Sequence, residues 1–129
     1  MFTYHQMISA TPASVRNRGA RVKLVPFKSK EDTDRNGIFQ ELHYHTYDQD
    51  GMRNTFVRVY NQNKLWVLCS CPYFRYTSEV ALAIRNSSTI KYSDGSMPKE
   101  TNPKLKPIVC KHVIAVIMDL LRNHLLPVP

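Results

Sequence analysis

The sequence predicts an α+β fold: a small antiparallel β-meander packed with a C-terminal helix, entered through an extended basic N-terminal arm. Three observations carry this. Between residues 38 and 71 three short segments alternate apolar and polar residues and are separated by tight polar turns, as antiparallel strands are. From residue 109 the apolar spacing becomes that of an amphipathic helix. The first 30 residues carry six basic side chains and no acidic one.

The arm comes first in the chain. Residues 1–19 show little periodicity and contain Pro12 and Gly19. "ARVKLVPF" (20–27) sets Val22, Leu24 and Pro26 against Arg21, Lys23 and Val25, an edge strand. The division expected is therefore an arm and edge strand at 1–30 and one domain at 31–129. The basic residues are Arg16, Arg18, Arg21, Lys23, Lys28 and Lys30, and the first acids follow at Glu31, Asp32 and Asp34. Such a run suits a segment that leaves the domain or wraps an acidic partner, nucleic acid or protein; solvated loop charge is the alternative. The net charge of +8 points the same way.

"KSKEDTDRNG" (28–37) is polar, ends in Asn-Gly and reads as a loop and turn. In "IFQELHYHTY" (38–47), Ile38, Gln40, Leu42, Tyr44 and Thr46 share one face, and Phe39, Glu41, His43, His45 and Tyr47 the other. After the turn "DQDGM", "NTFVRVY" (54–60) alternates in the same way, and "LWVLCSC" (65–71) is the next strand. "YTSEVALAIRN" (76–86) predicts a helix with Thr77 or Ser78 as cap, residues 87–107 a loop, and "VCKHVIAVIMDLLRNHLL" (109–126) the terminal helix.

A chain of 129 residues with 43% hydrophobic content suits one domain. Its longest apolar run, "VIAVIMDLL", is broken by Asp119 and falls short of the ~20 residues of a membrane span, so no membrane role is expected. The opening residues lack a charged region followed by a long apolar stretch, so no secretory signal is expected either.

The chain has three cysteines, Cys69, Cys71 and Cys110. A disulfide between Cys69 and Cys71 would close a very small ring, and an odd count fits a disulfide framework badly. A Cys110–His112 nucleophile pair is equally strained, because residues two apart on a helix do not face each other. A metal explains all four residues at once. Zinc favours tetrahedral thiolate and imidazole ligation, and three Cys with one His make a closed structural set. Period two on a strand places Cys69 and Cys71 on one side, while Cys110 and His112 open the helix opposite.

Cys-x-Cys ending a strand ("CSCP") and Cys-x-His opening a helix ("CKHVIAV") resemble the SWIM-type zinc finger over roughly residues 54–122. By that match Cys69, Cys71, Cys110 and His112 carry over as zinc ligands. The 38 residues between the ligand pairs (72–109) exceed the family's usual interval, which implies a helix-loop insertion at 73–109. The resemblance implies a module that binds DNA or protein, not an enzyme with a small-molecule substrate. The longer string "CSCPYFRYTSEVALAIRNSS…NPKLKPIVCKH" is similar to small SWIM-containing proteins of tailed bacteriophages. That likeness implies a virion component among other protein subunits, found in the virion or host cytoplasm.

Two further groups invite attention. His43 and His45 share a strand face at metal-binding spacing, yet have no other ligands near in sequence. Trp66, Tyr73, Phe74 and Tyr76 suit base stacking, although core packing is the commoner use of such a cluster.

Overall fold

In the computed structural model, which describes residues 1–123, 125 and 126, the chain runs β1 (Phe2–Thr3), α1 (Tyr4–Ala10), α2 (Ala13–Gly19), β2 (Lys23–Asp34), β3 (Gly37–Asp48), β4 (Gly51–Val59), β5 (Lys64–Cys69), α3 (Glu79–Ile84) and α4 (Lys111–Arg122). The strands form one five-stranded sheet in the order β1-β5-β4-β3-β2, with every neighbouring pair antiparallel. This is the expected α+β meander with its C-terminal helix. Gly37 and Gly51 start the strands after the two tight turns with φ of 115° and 103°. A Cβ at either would meet nothing, so backbone conformation rather than space calls for glycine there.

The alternation of β3 decides the faces. Leu42, Tyr44 and Thr46 are buried on the side of α4, where the Tyr44 hydroxyl donates to Asp119 at 3.4 Å. The helix answers with Val113, Val116, Ile117 and Leu120, all fully buried. Phe39, His43, His45 and Tyr47 point to the opposite face, where Phe39 is covered and Tyr47 stays exposed. No helix among the described residues is long and apolar enough to cross a membrane.

The N-terminus differs from expectation. Residues 1–20 do not extend as an arm. Thr3 caps α1 through a capping box with Gln6, and Phe2, Tyr4, Met7 and Val15 are buried. The β1 strand adds to the edge of β5, and the Phe2 amide donates to Ser87 Oγ at 2.7 Å. Against α4 the approach of α2 is so close that a Cβ on Gly19 would lie 3.0 Å from Ile114 Cγ2 and 3.2 Å from the Lys111 carbonyl. In α1, Tyr4, Met7 and Ile8 do fall at helical spacing behind the capping box, but a seven-residue helix holds only about two turns of pattern, and α2 buries only Val15 and Gly19.

Polarity likewise disguised β2. The segment expected as a loop at 28–37 continues the strand to Asp34, and only Arg35 and Asn36 turn. Its side chains are nearly all exposed, so no burial pattern marked it. The expected helix at 76–86 is a π-helical turn, Phe74–Ser78, leading into α3. The terminal helix spans 111–122 rather than 109–126, and closes with the Leu125 amide donating to the Leu120 carbonyl at 2.9 Å. His124 and the tail at 127–129 lie outside the described residues.

Residues 73–109 are knitted by two buried polar side chains. Glu79 accepts from the amides of Lys91, Tyr92 and Ser93 at 2.6, 3.0 and 3.1 Å. Asn102 donates to the carbonyls of Thr77 and Lys106 and accepts from the Lys106 amide. Buried polar groups that meet all their partners in this way fix one loop path.

Candidate metal centre

Cys69 ends β5, and Cys71 follows at the bend where the chain turns toward α3. Cys110 is the N-cap of α4 in extended conformation, and His112 lies in its first turn. Val57 of β4 pairs with Leu42 and Val67, and Thr55 with Tyr44 and Cys69, so Val67 and Cys69 share the sheet face that α4 covers. The four donor atoms of Cys69, Cys71, Cys110 and His112 lie within 4.8 Å of one another, and all four residues are buried. The cluster can hold a metal ion. Among the described residues no other group of three or more His, Cys, Asp or Glu side chains is gathered in this way.

The tautomer of His112 follows from its surroundings. Its Nε2 lies 2.8 Å from Asp48 Oδ2, and a carboxylate only accepts, so Nε2 carries the proton. Nδ1 is buried and has no hydrogen-bond partner. Hydrogen-bonded to no neighbour and set in a buried pocket of three thiols, Nδ1 is the atom a metal would take, displacing any proton it holds. Asp48 is itself fixed. Its Oδ1 accepts from the Asp50 amide at 2.7 Å, and Oδ2 also meets Lys111 Nζ at 2.9 Å. Burial would raise the Asp48 carboxyl, but the bonds from Lys111, the Asp50 backbone and His112 hold it down at about 2.

The sulfurs have supporting donors too. The Phe74 amide points to Cys71 Sγ at 3.4 Å, and the Thr55 hydroxyl to Cys69 Sγ at 3.5 Å. The Thr55 hydroxyl also lies 3.0 Å from that of Thr46, whose own proton goes to the Arg53 carbonyl at 3.1 Å, so Thr55 divides its proton between Thr46 and the sulfur. At the helix start the first intrahelical bond runs from Ile114 to Cys110. The amides of Lys111, His112 and Val113 therefore precede the ladder and favour negative charge at Cys110.

Protonation of the cluster is strongly perturbed. Hydrogen bonds from Cys110 and Cys69 drive the Cys71 thiol far below its ordinary range. Burial, reinforced by Cys69 and Cys71, pushes Cys110 well above it. Burial would lower His112, yet the thiols of Cys69 and Cys71 raise it to about 10. Groups packed this closely compete for protons that a single cation would displace together. Beside the centre opens a cavity of about 530 Å³, lined in part by Arg18, Asp50, Arg53 and Tyr73.

Compared with protein-family models, curated proteins and solved structures, the chain matches none.

The six basic residues of the expected arm are all exposed, but they do not form one segment. Arg16 and Arg18 sit on α2, Arg21 follows it, and Lys23, Lys28 and Lys30 lie along β2. Of the aromatic group, Trp66 and Phe74 are core, Tyr73 is half-buried near the centre, and Tyr76 is exposed. Sequence reasoning missed Asp48, Thr55 and the Phe74 amide. Asp48 shares the parity of Tyr44 and Thr46, which was the one signal that it faces the helix.

Proposed function

We propose that the cluster binds one zinc ion as a structural staple. The chain then works as a non-enzymatic SWIM-type binding module, a tailed-phage virion component that contacts neighbouring protein subunits in the particle or the host cytoplasm. The observation that carries this reading is the closed set of four buried donors. Tetrahedral zinc takes four ligands, so none of its positions is left for a substrate, and three thiolates with one imidazole suit zinc over harder cations. Bound there, the ion would supply folding free energy by tying the end of β5 to the start of α4. The Cys-x-Cys and Cys-x-His spacing supports the SWIM type, and the longer string around it supports the virion setting.

The test has two arms. Metal analysis of protein purified without chelator should find about one zinc per chain; substantially less ends the staple. Mixed with the subunits of a tailed-phage particle, the chain should enter a stoichiometric complex on size exclusion, and a chain that stays monomeric among them removes the assembly role. A nucleic-acid-binding role is the second reading, favoured by the exposure of all six cations at 16–30. It requires affinity for DNA that falls steeply with salt.

A further inference from the structure

The sheet face turned away from α4 carries an array of rings that the metal centre does not use. Phe27 stacks on His45 with centroids 4.4 Å apart and meets His43 edge-on at 5.0 Å. His43 in turn stacks on Phe56 at 4.1 Å. Phe27 is 52% exposed, and His43, His45 and Phe56 are half-buried. The array depends on a β-bulge. Pro26 pairs with Tyr44 and Lys28 with His43, so Phe27 is the extra residue and lies with Lys28 on the ring face. Lys28 Nζ stands 5.3 Å from the Phe27 ring centre.

The charge beside these rings is basic. Lys30 pairs across with Glu41 and Lys23 with Tyr47, which places both lysines on the same face as Lys28. Glu41 is neutralised by Arg58 at 2.7 Å, with Lys30 at 3.9 Å. A groove of about 430 Å³ runs between Lys28, Lys30, Glu41, His43 and Phe56.

We propose that this face is a stacking platform for single-stranded nucleic acid, with Phe27 and the histidine rings taking bases and Lys23, Lys28 and Lys30 taking phosphates. Unpaired bases offer ring faces that stack on aromatic side chains whatever their sequence, and a lysine row beside them follows the backbone. A second copy of the chain is a poorer occupant. Along the free edge β2 carries Pro26, a bulge and lysines, the features that block strand-to-strand pairing. The proposal deepens the nucleic-acid reading by naming the face and the strandedness, and it is independent of the zinc.

A fluorescein-labelled oligothymidylate titrated against the full chain tests it. Binding should be detected, with log affinity falling against log salt at a slope of about −2, as three phosphate contacts on a single strand require. Phe27→Ala should weaken binding at least about fivefold, and Lys28→Ala should flatten the slope. Lys104→Ala, in the loop before α4 and exposed, should change neither. Equal affinity for a duplex of the same length would overturn the platform, because paired bases are closed to stacking. If DNA binds but neither Phe27→Ala nor Lys28→Ala weakens it, the platform fails while the nucleic-acid reading stands. If no nucleic acid binds at all, both fail. Polyglutamate bound as tightly as the oligonucleotide, with Phe27→Ala silent, would instead mark the face as a site for acidic protein.

Discussion

Asp48 Oδ2 accepts the Nε2 proton of His112 at 2.8 Å, across 64 residues of sequence. One carboxylate oxygen thereby sets the tautomer of the ring, its orientation and the nitrogen offered to a metal. Asp48→Ala should weaken zinc binding about 10- to 100-fold, the usual cost of losing a ligand's hydrogen-bond partner. Competition against a chromophoric chelator measures it. Unchanged affinity would mean that packing alone holds His112.

Removing a ligand should do more. Cys110→Ser should abolish the cooperative melt of the parent, since metal binding in small zinc modules supplies about 10–16 kcal/mol of apparent folding free energy. The variant should melt like chelator-treated parent protein, and added chelator should shift it no further. A variant that melts like the untreated parent removes the structural role.

The Thr11 hydroxyl accepts from the Val109 amide at 3.0 Å and donates to the Met7 carbonyl at 2.7 Å. Thr11→Val keeps the shape and strands a buried amide next to Cys110. Chemical denaturation should show a loss of about 1–3 kcal/mol, with Thr11→Ser recovering most of it. Should the valine variant match the parent, the N-terminal segment does not brace the centre.

Alkaline pH probes the other end of the sheet. Burial, together with its 2.6 Å bond to Asp34, raises the Tyr60 hydroxyl to about 12. The unfolded chain releases that proton near pH ~10, whereas the folded chain holds it longer. Tyr60 therefore contributes stability that is fully present below about pH 10 and lost as pH rises toward about 12. Tyr60→Phe should be less stable at neutral pH and should decline less steeply over that alkaline range. Parallel declines in parent and variant would assign the effect to other groups.

The strands and terminal helix could be read from the sequence because their burial alternates with a fixed period: Leu42, Tyr44 and Thr46 on β3, and Val113, Val116, Ile117 and Leu120 on α4. The four donors were legible for a different reason, since their types and spacing suit one coordination shell. What escaped was everything fixed by tertiary contact. Asp48 looked like a turn residue, and Thr11 like part of an arm. The outer half of β2 is wet on both sides and carries no pattern for a strand to show. The loop after α3 holds its path through Glu79 and Asn102, whose partners lie 4 to 25 residues away in no periodic relation.

The bonds that seat the N-terminus join residues far apart in synthesis: Phe2 to Ser87, 85 positions on, and Thr11 to Val109, 98 positions on. On the ribosome Phe2 and Thr11 wait, without these partners, until Ser87 and Val109 have been made. Contacts of such long sequence separation slow folding, because the loop must close before any contact rewards it. Cys110 and His112 emerge at the same late stage. Any ion the cluster holds is therefore captured only after residue 112 has emerged, and chains truncated before residue 110 present half a binding site and an unseated segment at 2–11 to whatever surveys them.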